Sequence, residues 1–144
     1  MDKLISGVVL TPLKVIANPL GDVYHGMKKS DPGFAGFGEA YFSTVNKGDI
    51  KSWKKHTSMT LNLVVPVGAI RFVVHDDREG SETKGLFNDF TLSLDNYQRL
   101  TVPPGVWMAF QGVGEKNLLL NVANLEHVPE EGARVELGTF PYRW

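Results

Sequence analysis

The sequence predicts an all-β protein, a double-sheet jelly roll, from three observations. Short segments rich in Val, Leu, Phe and Thr recur along the chain, Gly and Pro stand between them, and helix-start patterns are scarce. Ile70, Phe72 and Val74 alternate with Arg71, Val73 and His75, and Leu118, Leu120 and Val122 alternate with Leu119, Asn121 and Ala123. Both have the two-residue period of a strand with two different faces. Further strands are expected at residues 7–10, 23–27, 39–43, 61–65, 90–94 and 99–102. Strand upon strand at intervals of roughly ten residues is the sandwich or barrel pattern.

The turns follow from the same punctuation. Pro66-Val67-Gly68 separates residues 61–65 from 69–76 and predicts a hairpin between antiparallel neighbours. Gly33, Gly36 and Gly38 precede a strand and not a helix, so they predict a mobile loop and not a phosphate cradle. The final Phe140-Pro141-Tyr142-Arg143-Trp144 is too aromatic for a solvated tail, and is expected to pack on the domain or on a partner subunit.

Composition narrows the functional classes. With 144 residues and 42% hydrophobic content, residues 1–144 are expected to form one cupin-like domain. The chain contains no cysteine, which excludes disulfides, thiolate metal sites and a thiol nucleophile. Fifteen basic and sixteen acidic residues leave a net charge of -1, which supplies no long-range field for nucleic acid or an acidic membrane. No apolar run reaches the roughly 18 residues of a membrane span and the N-terminus lacks a signal-peptide layout, so a cytoplasmic location is expected. No Ser sits in a Gly-x-Ser-x-Gly elbow.

Residues 76–83 (Asp-Asp-Arg-Glu-Gly-Ser-Glu-Thr), then Leu92-Ser93, then Val102-Pro103-Pro104-Gly105, resemble in order the dTDP-4-dehydrorhamnose 3,5-epimerase family. Its Asp-x-Arg-x-x-Ser turn, Leu-Ser strand and Pro-x-Gly turn are all present. The family's next element is His-Gly-Phe, and here it reads Met108-Ala109-Phe110. Upstream, Tyr41-Phe42-Ser43 and residues 48–56 look like the family's strand, Gly turn and Arg-Gly-Leu-His segment, with Lys54 at the His position. The resemblance implies a jelly roll, often a homodimer, that binds a nucleotide-linked 4-keto sugar inside the barrel.

Epimerisation beside a ketone needs a base for the carbon-bound proton, a donor at the enolate oxygen and an acid for the opposite face. By resemblance the base position is Lys54, and the family's acidic Tyr falls at Leu120 or its apolar neighbours. The related 3,4-ketoisomerases carry His-x-His here, and His56 matches the second of that pair; Tyr41 corresponds to a Tyr that donates a proton or orients the base. On a strand, Lys54 and His56 share a face and Lys55 points away. The catalytic candidates are therefore Lys54, His56 and Tyr41. Lys51 stands where the family has an Arg, and Lys51, Trp53, Asn62 and Arg71 are the candidate substrate contacts, Trp53 or Trp107 by stacking on thymine or sugar.

Each candidate also has a purely structural role available. Lys54 can be a solvated strand charge, Tyr41 a buried ring with a bonded hydroxyl, Arg71 the partner of a carboxylate, and Trp53 and Trp107 core residues; His75 and His127 are expected to be structural. No metal site and no cofactor are expected, because His56 lacks the second His of a cupin pair and Met108 replaces the later ligand. The expected activity is that of an epimerase or isomerase moving a proton beside the keto group of a dTDP-linked 4-keto-6-deoxyhexose, in surface polysaccharide biosynthesis. The alternatives are a 3,4-ketoisomerase and a non-catalytic sugar-nucleotide-binding module.

Overall fold

The computed structural model describes residues 3–144. Its strands are β1 (Val9–Pro12), β2 (Val15–Ile16), β3 (Val23–Tyr24), β4 (Glu39–Thr44), β5 (Ile50–His56) and β6 (Leu61–Val67). They continue as β7 (Ala69–Asp76), β8 (Phe87–Ser93), β9 (Gln98–Val102), β10 (Val106–Gly112), β11 (Leu118–Ala123) and β12 (Gly132–Arg134). Two five-stranded sheets have the orders β1-β9-β6-β11-β4 and β12-β5-β10-β7-β8, and β2-β3 forms a separate hairpin. Sequence-distant strands are spatial neighbours and their named pairings are antiparallel, as in a jelly roll.

The core lies between the two sheets. Leu63 and Val65 of β6 and Leu100 of β9 meet Ile70, Phe72 and Val74 of β7 and Leu92 of β8, all buried. This is the alternation seen in the sequence, and it explains why Arg71 faces outward.

The expected hairpin at Pro66-Val67-Gly68 is overturned, because β6 belongs to the first sheet and β7 to the second. The turn is a corner at which the chain changes layers, so both strands bury apolar faces against each other across the core. Gly68 adopts φ +81°, and a Cβ there would lie 2.0 Å from the Lys116 carbonyl oxygen, so the corner requires glycine.

Nor is the Gly33 segment a free loop. Arg99, fully buried on β9, donates to the Gly26 and Pro32 carbonyls and to Asp31, and Asn62 donates to the Gly33 carbonyl. These bonds lay residues 26–33 over the outer face of the first sheet and satisfy a guanidinium that has no access to water.

The C-terminal aromatic segment packs on the domain, as one of its two expected positions required. Phe140, Tyr142 and Trp144 cover Trp53, Val73, Trp107 and Ala109 on the outer face of the second sheet. Phe140 meets Trp53 edge-on with ring centroids 5.4 Å apart.

Candidate functional site

Strand β5 carries the sequence Ile-Lys-Ser-Trp-Lys-Lys-His, and strict alternation would put Lys51 and Lys54 on opposite faces. The register decides otherwise. Met108 pairs with Lys54 and Phe110 with Lys51, so two steps on β10 face three on β5, and a β-bulge lies at Ser52-Trp53. The bulge turns Trp53 outward, fully buried, where its Nε1 donates to the Leu137 carbonyl at 3.1 Å. It leaves Lys51, Lys54 and His56 together on the inner face. Lys55 points away as expected, its ammonium 4.7 Å from the centre of the Trp107 ring.

That inner face opens on a cavity of about 460 Å³ between the β4 side of the first sheet and the β12-β5 side of the second. Two cross-strand rows form its opposite walls. One runs Met108-Lys54-Arg134 across β10, β5 and β12, and the other runs Leu63-Asn121-Tyr41 across β6, β11 and β4. Leu61, Phe110 and Leu119 make part of the wall apolar.

Four sequence candidates meet there: Tyr41, Lys51, Lys54 and His56. Four do not. Trp53 belongs to the outer aromatic cluster, and Trp107 beside it donates its indole N–H to Asp77. Arg71 lies on the outer face of β7, where it binds Asp89 at 2.6 Å and the Tyr142 hydroxyl at 2.9 Å. Asn62 faces outward from β6 and accepts from Thr101 and Arg99. All four are bound into the fold, so none is free to meet a ligand in the cavity. Leu120 also leaves the site, since its neighbours Leu119 and Asn121 are the inward residues of β11.

The terminal segment supplies what the sequence did not show. β12 is only three residues long, too short for a period, yet it pairs with the end of β5 and brings in Arg134 and Glu131. Glu131 binds His56 Nδ1 at 2.5 Å and accepts from the Ser58 and Met59 backbone N–H groups at 2.8 and 2.7 Å. Burial raises the pKa of the Glu131 carboxyl, but the bonds from Ser58, His56 and Met59 outweigh it and hold the carboxyl below its ordinary range. An ionised Glu131 fixes the ring with Nδ1–H toward itself, which leaves the Nε2 edge for the cavity.

Lys54 has a lowered pKa, first because burial disfavours its ammonium and next because Arg134 lies beside it; Glu131 and Glu39 pull the other way. Lys51 donates to Ser43 at 3.1 Å and has its ammonium 5.8 Å from the Phe110 ring centre. Across the cavity, the Tyr41 hydroxyl accepts from Asn121 Nδ2 at 2.8 Å. Three cations, an imidazole and a phenol thus surround a space with apolar walls, a combination that can hold an anion and shift a proton beside it. No cluster of three or more His, Asp or Glu side chains able to hold a metal ion occurs among the described residues.

The two turns that carried the family resemblance lie directly behind His56. Asp76, fully buried, accepts from the Arg78 guanidinium, Ser81 Oγ and Thr83 Oγ1. Burial raises its pKa, and these bonds overcome the effect to hold it well below the usual carboxylate range. Gly105, at φ +84°, packs against Arg78 and donates its N–H to the His56 carbonyl at 2.7 Å. The motif is a brace for the end of β5 and contributes no residue to the cavity.

The chain is similar over 97% of its length to the crystal structure of a dTDP sugar isomerase from Desulfovibrio desulfuricans G20. Identity is 36%, the TM-score is 0.93, and 92% of that chain is covered. The chain belongs to the dTDP-4-dehydrorhamnose 3,5-epimerase family. The family's jelly roll recurs in an epimerase from Legionella pneumophila crystallised with dTDP-4-keto-L-rhamnose, at 19% identity and a TM-score of 0.83 over 94% of this chain and 76% of that one.

Two curated relatives are each 32% identical over 84 residues. The probable low-salt glycan biosynthesis epimerase Agl13 of Haloferax volcanii matches over 57% of this chain, and the spore coat polysaccharide biosynthesis protein SpsL of Bacillus subtilis over 58%. The chain spans 54% and 56% of their lengths, respectively. No protein-family model matches it.

Proposed function

We propose that this chain is a nucleotide-sugar epimerase or isomerase that moves a proton beside the keto group of a dTDP-linked 4-keto-6-deoxyhexose used in polysaccharide assembly. The observation that carries this reading is the His56–Glu131 pair in a cavity lined with cations. His56 Nε2 takes the carbon-bound proton, and Glu131 stabilises the imidazolium that results. The Lys54 ammonium faces the negative charge that develops on the enolate oxygen, and Tyr41, on the opposite wall, is the acid. Lys54 thus stabilises charge at the place where the family has its base, and the base is one step further along the same face of β5.

Lys51 and Arg134 suit the diphosphate. Neither makes an ion pair within the cavity among the described residues, and Arg134 is exposed at its edge. The apolar stretch of Leu61, Leu63 and Leu119 suits the methyl group of a 6-deoxy ring. Pairing of two copies is supported by β4, a sheet edge that leaves Phe42 66% exposed. Sedimentation should then show a dimer, and a monomer at working concentration removes that part of the proposal.

The test of the activity is proton exchange. Incubation with dTDP-4-keto-6-deoxyglucose in heavy water should place deuterium on carbon beside the ketone, and the labelled position reports which carbon reacts. No incorporation into this or an isomeric dTDP-4-keto sugar rules the activity out.

A further inference from the structure

Gly132, the first residue of β12, stands opposite His56, and neither its backbone nor its packing calls for glycine. Its φ of −106° and ψ of 152° are ordinary extended chain, open to any residue. Apart from its chain neighbours, the described atoms nearest to a Cβ built there would be Lys54 Cε at 3.5 Å, then His56 Nδ1 and the Lys55 carbonyl oxygen at 3.8 Å. Those are ordinary contacts. Glycine weakens a strand, and β12 is only three residues long. The glycine therefore serves something other than the fold.

The register shows what that is. The Thr57 N–H donates to the Glu131 carbonyl at 2.9 Å and the Val135 N–H to the Trp53 carbonyl at 3.2 Å, so His56–Gly132 and Lys54–Arg134 are both non-hydrogen-bonded pairs. In such pairs the side chains lie closest. Lys54 and Arg134 are thus two cations placed directly opposite each other, and they repel. A long flexible chain relieves this by leaning toward a diagonal neighbour. The diagonal neighbour on the His56 side is Gly132, and Lys54 Cε lies over it. Gly132 is half-buried, with no side chain of its own in the way.

We propose that Gly132 is a positioning residue for Lys54: the missing side chain lets the Lys54 stem lie across β12, which carries the ammonium away from Arg134 and alongside His56. This rests on the activity proposed above and adds that β12 sets the place of the catalytic charge. The proton leaves the carbon beside the carbonyl, so a base and a cation that act on one enolate must be neighbours. Lys54 and His56 share a face of β5, and Gly132 supplies the room in which the longer chain can turn toward the shorter one.

The experiment measures kcat and KM for deuterium exchange into dTDP-4-keto-6-deoxyglucose in the wild type, Gly132→Val, Lys54→Met and the two substitutions combined. Gly132→Val puts two γ-carbons where the Lys54 stem lies, and should lower kcat about tenfold or more with KM little changed. Its fold should hold, because a β-branched residue suits a strand and a lysine stem moves easily. In the Lys54→Met background the same substitution should lower kcat no further, since no ammonium is left to displace. An unchanged kcat in Gly132→Val, or a full effect of that substitution beside Lys54→Met, overturns the role of Gly132 and leaves the activity standing. A melting temperature lowered in Gly132→Ala overturns it too, because the glycine would then serve the fold. Should Gly132→Val fail to fold, Gly132→Ser, which adds one heavy atom beyond the Cβ, takes its place with the same required dependence on Lys54. No exchange by the wild type overturns the underlying activity, and this role with it.

Discussion

The two faces of β5 differ in what their side chains are bonded to. On the outer face Trp53 is wholly enclosed, its indole N–H bonded to Leu137 and its ring packed against Phe87, Phe140 and Trp144. On the inner face Lys51 and Lys54 carry positive charge into a cavity without carboxylate partners among the described residues, Lys51 bonded only to the Ser43 hydroxyl, and His56 is tied down by Glu131. Side chains that fold the protein have their bonding completed within it, and those offered to a ligand do not. Asp76 and Asn121 differ in the same way: both are buried, but the first accepts from three side chains and the oxygen of the second has no hydrogen-bond partner among the described residues.

If that division is right, substitutions on the two faces should fail in different assays. The largest effect is expected for His56→Asn, which should lower kcat for deuterium exchange by about 10²–10⁴-fold, the usual worth of a general base. Its circular dichroism should stay native. Trp53→Ala should instead lower stability by about 3–5 kcal/mol, the cost of emptying a large buried aromatic site, measured by urea unfolding. Protein that remains folded should still bind the nucleotide sugar.

Asp76→Asn should cost stability next, by about 2–4 kcal/mol, because it leaves the Arg78 guanidinium without its charged partner. Its effect has a pH signature. The folded pKa lies below the unfolded one, so the stabilisation is complete above about pH 4 and is lost as pH falls through the folded value. The difference between wild type and Asp76→Asn should therefore shrink as unfolding is measured at progressively lower pH below 4. A difference constant over that range would contradict the network.

The smallest stability effect, with a reversed sign, is expected for Lys54→Met. Burial disfavours the ammonium, so removing it should leave the unliganded protein equally or slightly more stable, by roughly 0–1 kcal/mol. At the same time it should lower kcat for deuterium exchange by about 10²–10³-fold, with affinity for the nucleotide sugar little changed, because the charge it meets develops only in the transition state. A variant that lost stability and kept turnover would move Lys54 from the catalytic group to the folding group.

Much of this arrangement was legible in the sequence, for reasons that can be traced. Lys54 and His56 share a face because their spacing of two matches the strand period, and Ile70, Phe72 and Val74 announced the core in the same way. Lys51 joins them only through the bulge at Ser52-Trp53, which changes parity by one and leaves no mark in composition. Parity also explains Leu120: its strand was recognisable, but which of its faces points inward depends on partners that only the sheet order reveals. Glu131 and Arg134 were hidden because β12 is too short to show a period and lies far along the chain from the strand it serves. Asn62 and Arg71 were placed on strands correctly and on the wrong side of them, since both polar side chains found partners outside the core.

The central claim is that the inner face of β5 and the facing wall of Tyr41 and Asn121 hold one substrate between them. A crystal structure with a dTDP-4-keto-6-deoxy sugar tests it most directly. The expected result has the keto ring between His56 Nε2 and the Tyr41 hydroxyl, with the diphosphate on Lys51 and Arg134. A ring bound elsewhere, or bound in the cavity with neither His56 nor Tyr41 in contact with it, would contradict the account.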